Sequence, residues 1–430
     1  MMAAMLRTPI IPVLALACLA GRAVAQPPPA APPPAAPPPP AAAPPAFPLG
    51  SVQVTGLAAP DAFTTPGRAT GLPPGLWTGA SVKTLRAVLP LLAAKPLSPA
   101  GAQLARRVLA TGAVGPEGAG QDRGLAAGRA QALLMQGDAR AAAAVLAHAP
   151  GADRNADLAQ AVAEADLLAG DDAGACRTAQ ALTDGRDEPY WLKLRTYCQA
   201  LAGQAAQAGL TFDLATAQSK DPVFARLMGA KLAGGGNPGP ASLRNGLDYA
   251  LSRSLGLDLA AAKPAPAVAA ALAGPADPAP LVLDPAAVAP DLAVLAEPLA
   301  RGEPVRDAVL AALVEAAATA ADPKARARAQ AGLLLAAAIS GAFGPELRGQ
   351  IAALPVPEGK APLGRAMALD AAGQQRLMGE AAMLSLWVFA EGGPAGPAFG
   401  DRVRIVRALH LAGLDADARA VAFEGLQALK

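Results

Sequence analysis

The residues with the clearest chemistry in this 430-residue sequence are two cysteines, Cys176 and Cys198. They are the only cysteines after residue 25, and two thiols can oxidise to a disulfide where the chain enters an oxidising compartment. Measured from a predicted turn near residue 185, they lie at similar depths on two antiparallel helices. The spacing therefore predicts a disulfide that closes a loop of about 22 residues, with two buried thiols as the alternative.

Few other residues are spaced for catalysis or for binding a metal or a cofactor. The two histidines, His148 and His410, are far apart and lie near predicted helix ends. No His pair at i,i+4 spacing, no CxxC and no nucleophile elbow occurs in the sequence. The Gly-rich stretch 234–239 lacks the lysine of a phosphate-binding loop. We therefore predict no catalytic residue, no metal and no cofactor, and a protein that is not an enzyme.

The first 25 residues have the order of a secretory signal peptide. Arg7 gives a positive start, about a dozen apolar residues follow, and a small-x-small site ends at Ala25, before Gln26. We predict cleavage between Ala25 and Gln26 and export to the periplasm. The apolar run is shorter than the ~20 residues that span a bilayer. The alternatives are an uncleaved signal that anchors the chain in the inner membrane, and a lipoprotein attached through Cys18.

The charge balance argues against a nucleic-acid partner. The sequence has 36 Lys and Arg against 34 Asp and Glu, and loss of residues 1–25 removes two arginines and no acid. The remaining chain is close to neutral, so no field of one sign would steer it to nucleic acid. We predict a protein partner, and association with the inner membrane only if the signal is uncleaved.

Residues 27–48 are almost all Pro and Ala. Proline fixes φ and removes a hydrogen-bond donor, so neither helix nor sheet can form there. A polyproline II chain of this length extends on the order of 60–70 Å. We predict that 26–77 is a disordered linker, with the partly Gly- and Thr-rich stretch 49–76 as its irregular continuation.

The sequence after residue 78 is typical of short helices joined by tight turns. Ala and Leu dominate, aromatic residues are 3% of the chain, and Gly or Pro recurs every 12 to 18 residues. This predicts an all-α fold. We expect helical hairpins over 78–255, a Pro-rich connector over 256–290, and further helical repeats over 291–430.

A repeat is visible in the first helical segment. Gly137, Gly170, Gly203 and Gly236 are each separated by 33 residues, and each follows an apolar helix end. Gly413 echoes the pattern near the C-terminus. We interpret each glycine as the turn inside a helical hairpin. Small residues lie seven before and five after the four glycines, where two helices would cross: Ala130, Ala142, Ala163, Ala175, Thr196, Ala208, Gly229 and Ala241.

This pattern resembles the tetratricopeptide repeat, whose unit of ~34 residues has small residues where its paired helices cross. The match covers about 120–250, and most of the family's aromatic positions are absent. The resemblance implies a solenoid of antiparallel helical hairpins with a concave surface that binds peptides or proteins.

The layout is also similar to proline-rich periplasmic proteins of alphaproteobacteria that position the polar flagellum. The features that carry the resemblance are the N-terminal apolar segment, "PPPAAPPPAAPPPP", and an Ala-rich body. It implies a non-enzymatic scaffold with a flagellar or envelope protein as partner, and in that family the apolar segment stays as an anchor. The alternatives are a general envelope-assembly factor, and a cell-wall hydrolase or its activator.

Overall fold

The computed structural model describes residues 63–120, 122–146, 151–273, 280–340, 344–355 and 358–429. The predicted cleavage site at Ala25 and Gln26 and the proline-rich stretch lie outside these residues. The described residues form α-helices and short 3-10 helices and contain no strand, which confirms the all-α class. The nineteen α-helices are α1 (Val82–Ala94), α2 (Pro99–Ala110), α3 (Arg123–Met135), α4 (Ala139–Leu146), α5 (Ala156–Ala169), α6 (Asp172–Ala181), α7 (Pro189–Leu201), α8 (Ala205–Gln218), α9 (Pro222–Leu232), α10 (Gly246–Ser254), α11 (Pro266–Ala273), α12 (Ala293–Arg301), α13 (Asp307–Thr319), α14 (Pro323–Ser340), α15 (Pro345–Ala352), α16 (Leu363–Gln374), α17 (Met378–Gly392), α18 (Phe399–Leu411) and α19 (Asp415–Gln427).

Many of these helices begin at residues that satisfy the free backbone N–H groups of a first turn. The Ser81 side chain accepts hydrogen bonds from the N–H groups of Lys83 and Thr84 at the start of α1. Other helices have a proline in the first turn, where a missing N–H costs no hydrogen bond. Five further side chains accept hydrogen bonds from first-turn N–H groups, as Ser81 does: Asp122, Asn155, Asp171, Asp221 and Asn245.

Three successive hairpins, α3–α4, α5–α6 and α7–α8, turn at the glycines that repeat every 33 residues. Gly170 has φ 86°, a left-handed conformation that glycine adopts without steric cost. Gly137, Gly203 and Gly413, which separates α18 from α19, also have positive φ. Six of the predicted crossing residues are fully buried in these hairpins: Ala130, Ala142, Ala163, Ala175, Thr196 and Ala208.

The fourth predicted hairpin, at Gly236, is not formed. Gly236 has φ 112° and lies in an irregular segment, 233–245, that separates α9 from α10. Three successive glycines and two prolines keep this segment out of helical conformation. The predicted crossing residue Ala241 therefore lies outside any helix, and α10 packs back against α5.

The described helices enclose two apolar cores. The large core is formed mainly by α1–α4, α12–α14 and α16–α19, with Leu104 and Phe389 among its buried residues. The small core lies among α5, α6, α7, α9 and α10, around Trp191, Tyr197 and Phe224. Helix α5 separates the two cores and contributes buried residues to both.

The N-terminal and C-terminal helical segments share the large core. Helix α1 packs against α17, and α2 packs against both α17 and α19. The apolar faces of α1 and α2, with Leu85, Val88 and Leu104, are buried there. The predicted division into 78–255 and 291–430 therefore does not separate two bodies, because apolar faces at both ends of the chain cover each other.

Two glutamates of the C-terminal helices also cap the N-terminal ones. Glu380 of α17 accepts hydrogen bonds from Ser81 N–H (2.8 Å) and Thr84 Oγ1 (2.7 Å) at the start of α1. Glu424 of α19 accepts a hydrogen bond from Ala100 N–H (2.8 Å) at the start of α2. A carboxylate at a helix N-terminus is favourable because it satisfies free N–H groups and faces the positive end of the helix dipole.

The predicted linker ends earlier than residue 77. Phe63 and Trp77 are fully buried, and their rings meet edge to face with centroids 5.6 Å apart. Gly67 N–H donates a hydrogen bond to Ala110 O (2.8 Å), and Ala113 N–H donates one to Phe63 O (3.0 Å). Residues 63–77 are irregular but packed, because two large aromatic rings give them enough apolar surface to bury.

In its described residues, the predicted connector 256–290 contains one α-helix, α11, which packs against α3 through the buried Val268. Most of the rest of the connector follows an irregular path, as its prolines predict; residues 274–279 lie outside the described part.

None of the helices in the described ranges is both long enough and apolar enough to cross a membrane.

Candidate functional site

Cys176 of α6 and Cys198 of α7 form a disulfide in the structure, with Cα atoms 5.5 Å apart. This is the pair that the sequence predicts. Helices α6 and α7 belong to successive hairpins, so the bond ties one hairpin to the next. Both cysteines are half-buried and line a cleft of about 220 Å³, together with Gln180, Arg195 and Gln199.

A glutamate joins the disulfide-bonded hairpins to α10. Glu164 of α5 accepts hydrogen bonds from Gly246 N–H (2.6 Å) and from Tyr190 Oη (2.9 Å). Burial raises the pKa of the Glu164 carboxyl above its ordinary value, against the lowering effect of these hydrogen bonds. A second link is the ion pair between Arg253 of α10 and Asp172 of α6 (2.6 Å). These contacts hold α5 and α6 against α10 in the small core.

A three-residue ion cluster fixes the start of α9. Lys193 of α7 lies 2.9 Å from Asp221, and Arg244 lies 3.0 Å from the same carboxylate. Burial of Asp221 raises its pKa, but the hydrogen bonds from Lys193, from the Phe224 N–H and from Arg244 outweigh this and lower it to about 2. The cluster keeps α9 in place beside α8.

Helix α8 has an apolar surface that no described element covers. Only Ala208 and Ala215, one heptad apart, are buried in this helix. Leu210 is 75% exposed and Leu214 is 55% exposed, and their i,i+4 spacing places them side by side. Leu201, at the end of α7, is 44% exposed. We call Leu210 and Leu214 the α8 surface.

Contacts with the neighbouring helices α9 and α7 hold the helix that carries the α8 surface. Phe212, on the same helix, is half-buried and contacts Phe224 of α9 with ring centroids 5.9 Å apart. The partner helix α7 is covalently held by Cys198. Exposed leucines on a helix held in this way form a rigid apolar surface.

A second concave feature lies between α13 and α15. It is a groove of about 450 Å³ whose apolar lining includes Leu310, Val314 and Leu347. Acidic side chains, Glu315 and Glu346 among them, also line it. The lining of the groove is therefore partly apolar and partly acidic.

The histidine and metal predictions can be compared only with the described residues. There, no group of three or more His, Cys, Asp or Glu side chains is arranged to hold a metal ion. His410 lies at the end of α18, with Nδ1 2.6 Å from Asp415 Oδ1, at the turn to α19. His148 lies outside the described residues.

Sequence reasoning did not find the α8 surface. Leu210 and Leu214 have the i,i+4 spacing of a core-facing pair, so the pattern alone does not say that this face is uncovered. The small residues of α8 could have been a signal, since Ala208 and Ala215 occupy the face that the repeat predicts to be buried and the leucines lie on another face.

Comparison with known proteins finds no matching family model, no matching curated protein and no matching solved structure.

Proposed function

We propose that this protein is a non-enzymatic periplasmic scaffold that binds a protein partner through the α8 surface. The observation that carries the proposal is the exposure of Leu210 and Leu214, side by side on a helix with a fixed base. Burying the exposed parts of these two leucine side chains in a partner's groove would contribute roughly 2–4 kcal/mol of favourable transfer free energy. Such side chains are typical anchors of a helix-in-groove interface.

We also propose that α3–α8 are three divergent tetratricopeptide-like repeats. The 33-residue spacing of Gly137, Gly170 and Gly203, and the buried small residues at the crossings, support this interpretation. In such a unit α7–α8 is the last complete repeat. Helix α9 packs against α7 and α8, but no second helix completes a fourth repeat, since α10 packs against α5. Part of the outer face of α8 therefore stays uncovered. The end of a repeat stack is then the binding surface.

The proposed partner is a flagellar or cell-envelope protein, as the resemblance in layout implies. The exported N-terminus and the proline-rich stretch 27–48 would set the distance between the helical body and the membrane. A general envelope-assembly factor is the competing role. Experiments on localisation separate the two, because a positioning scaffold concentrates at one pole and an assembly factor does not.

The test of the binding surface compares two matched double variants. Leu210→Ser/Leu214→Ser removes the anchors on α8. Leu363→Ser/Met367→Ser changes an exposed i,i+4 pair on α16, whose members are 70% and 63% exposed. A photo-crosslinking amino acid at residue 210 should give one discrete adduct with an envelope or flagellar protein, and one at residue 363 should not.

The test in cells uses a periplasm-competent fluorescent fusion at native expression. We expect a polar focus that is lost in Leu210→Ser/Leu214→Ser and kept in Leu363→Ser/Met367→Ser. A deletion variant lacking residues 27–48 tests the spacer separately. An even rim of fluorescence for the unaltered protein and for every variant would refute flagellar positioning and favour the assembly factor. Hydrolysis of purified peptidoglycan by the protein would contradict a non-enzymatic role.

A further inference from the structure

The cleft beside the disulfide is lined by two arginines and by no acidic side chain. Arg186 and Arg195 line it together with Cys176 and Cys198, and every residue of its lining lies within the described range 151–273. Its volume of about 220 Å³ suits a ligand of a few heavy atoms. The cleft therefore places two positive charges near a disulfide whose two cysteines are half-buried.

Arg195 has no partner of its own. It is half-buried on α7 and forms no hydrogen bond and no ion pair with any residue in the described part of the chain. It lies three residues before Cys198, and side chains three apart on a helix are neighbours. A cation beside a cysteine favours the thiolate over the thiol. Arg195 therefore stabilises Cys198 as a thiolate when the disulfide opens.

The arginine beside Cys176 is already paired. Arg177 lies 3.4 Å from Asp171, is 70% exposed and does not line the cleft. Of the two sulfurs, Cys198 is therefore the better leaving group, because a thiol that ionises more readily leaves faster. An incoming thiolate is expected to attack the other sulfur, that of Cys176.

Arg186 is the second unpaired cation of the cleft. It comes from the irregular loop between α6 and α7, is exposed, and forms no hydrogen bond or ion pair with the described residues. Its planar fork can donate two parallel hydrogen bonds to one carboxylate. The acidic residues of the same loop, Asp184, Asp187 and Glu188, do not line the cleft. Arg186 is therefore available to an anion that enters the cleft.

We propose that the cleft is a thiol–disulfide exchange site for a small thiol that carries a carboxylate. The carboxylate binds Arg186, and the ligand's thiolate attacks Cys176 Sγ. The Cys176–Cys198 bond breaks, a mixed disulfide forms at Cys176, and Cys198 leaves as a thiolate beside Arg195. The ligand sulfur is oxidised and the Cys198 sulfur is reduced. The proton that the ligand thiol gives to water balances the one that Cys198 later takes from water.

The exchange site does not depend on the α8 surface or on the partner proposed for it. The experiment treats the purified protein with mercaptopropionate, an anionic thiol, and with mercaptoethanol, a neutral one, at constant ionic strength. N-ethylmaleimide stops the reaction and alkylates the released thiol. Mass spectrometry then measures the opened fraction and identifies the cysteine that carries the added thiol.

We expect the added thiol on Cys176 and the maleimide on Cys198. The reverse distribution would overturn the assignment of Cys198 as the leaving group. Absence of a mixed disulfide with either thiol would overturn the exchange site. Comparing the ratio of the two rates between proteins cancels the different intrinsic reactivities of the two thiols.

Variants then separate the roles of the two arginines. Arg186→Gln should lower the ratio of the mercaptopropionate rate to the mercaptoethanol rate by roughly threefold to tenfold, the effect of one charge at contact distance in water. Arg195→Gln should slow opening by both thiols, because both release Cys198. Arg177→Gln removes an arginine beside Cys176 but outside the cleft, and it should leave the ratio unchanged.

A folding defect would give the opposite result, since an unfolded variant exposes its disulfide and opens faster with both thiols. An unchanged ratio in the Arg186→Gln variant would refute the carboxylate site. Unchanged rates in the Arg195→Gln variant would refute the stabilised Cys198 thiolate.

Discussion

The large core and the small core hold Ala-rich helices together in different ways. In the large core, glycines let helices approach apolar groups: a Cβ on Gly101 would lie 2.6 Å from the ring of Phe389. In the small core, two glycines face carboxylates instead. A Cβ on Gly174 would lie 2.8 Å from Asp166 Oδ2, and one on Gly246 would lie 2.9 Å from Glu164 Oε2.

The difference has a physical reason. The large core gathers side chains from both ends of the chain, so hydrophobic burial alone can supply much of its stability. The small core has fewer helices and adds aromatic rings, a disulfide and buried carboxylates to them. We therefore expect the small core to respond to reduction and to pH, and the large core to respond mainly to loss of its buried contacts.

The largest effect is expected from Glu424→Ala in the large core. This change leaves Arg402 without the carboxylate that lies 2.5 Å from it, and it removes the cap of α2. Breaking a buried ion pair typically costs about 3–5 kcal/mol of unfolding free energy. Urea unfolding followed by the fluorescence of Trp77, with the other two tryptophans replaced by phenylalanine, measures it.

The control for that prediction is Glu303→Ala. Glu303 forms an exposed pair with Arg301 at 2.9 Å, and solvent screens such pairs so that they contribute little to stability. Equal losses in the two variants would mean that the buried network at Glu424 has no special role in the large core.

Loss of the disulfide should affect the small core next. Cys176→Ser/Cys198→Ser removes a bond that closes a loop of 22 residues, which the chain-entropy model values at about 3 kcal/mol. The urea midpoint of unfolding followed by Trp191 fluorescence should move to a lower urea concentration, and the midpoint followed by Trp77 fluorescence should move less. A shift of the same size at both tryptophans would show that the two cores unfold as one unit.

The bond itself is tested by mass spectrometry of the chain that begins at Gln26. Reduction should add two hydrogens, and a thiol reagent should find no free thiol before reduction. An unchanged mass on reduction would contradict the Cys176–Cys198 disulfide.

Two carboxyl groups of α5, Asp166 and Glu164, make the small core depend on pH, because burial raises the pKa of each. Burial, and then the nearby charge of Asp171, raise the pKa of Asp166 to about 7. Below pH ~4 both the folded and the unfolded states hold this proton. Between pH ~4 and ~7 the unfolded state releases it first, so stability is lost as pH rises through the folded pKa. We expect the small core to be on the order of 2 kcal/mol more stable at pH 5 than at pH 8.

Asp166→Asn should remove part of that pH dependence, because an amide does not titrate, and the raised pKa of Glu164 should leave the rest. Asp157→Asn, on the exposed first turn of the same helix, is the control and should keep it. Trp191 fluorescence during urea unfolding at the two pH values gives both results. Unchanged pH dependence in the Asp166→Asn variant would assign the effect to other groups.

The smallest effect on stability is expected at the α8 surface. Leu210 and Leu214 are exposed, so Leu210→Ser/Leu214→Ser should change the unfolding free energy by no more than about 0.5 kcal/mol. The urea midpoint followed by Trp191 fluorescence should therefore be unchanged, while crosslinking to the partner is lost. A large loss of stability would mean that these leucines support the small core. The variant could then no longer be compared directly with Leu363→Ser/Met367→Ser on α16.

Local features of the fold could be predicted from the sequence. Helix propensity and the glycine spacing predicted an all-α body with turns at Gly137, Gly170, Gly203 and Gly413, because these signals act within one or two helical turns. The cysteine pair could also be predicted, since depth on two antiparallel helices is a matter of counting residues from their common turn. The same reasoning failed at Gly236, where further glycines and prolines prevented the next helix from forming.

The sequence by itself thus determined the helices, their tight turns and the pairing of Cys176 with Cys198. Only the tertiary structure decided which apolar faces are covered and which charged groups meet. It placed Phe63 and Trp77 in the large core, Glu424 at the start of α2, and no described element over Leu210. These outcomes depend on contacts between residues far apart in the chain, and such contacts follow from the packing of the whole body, which no local pattern of residue types records.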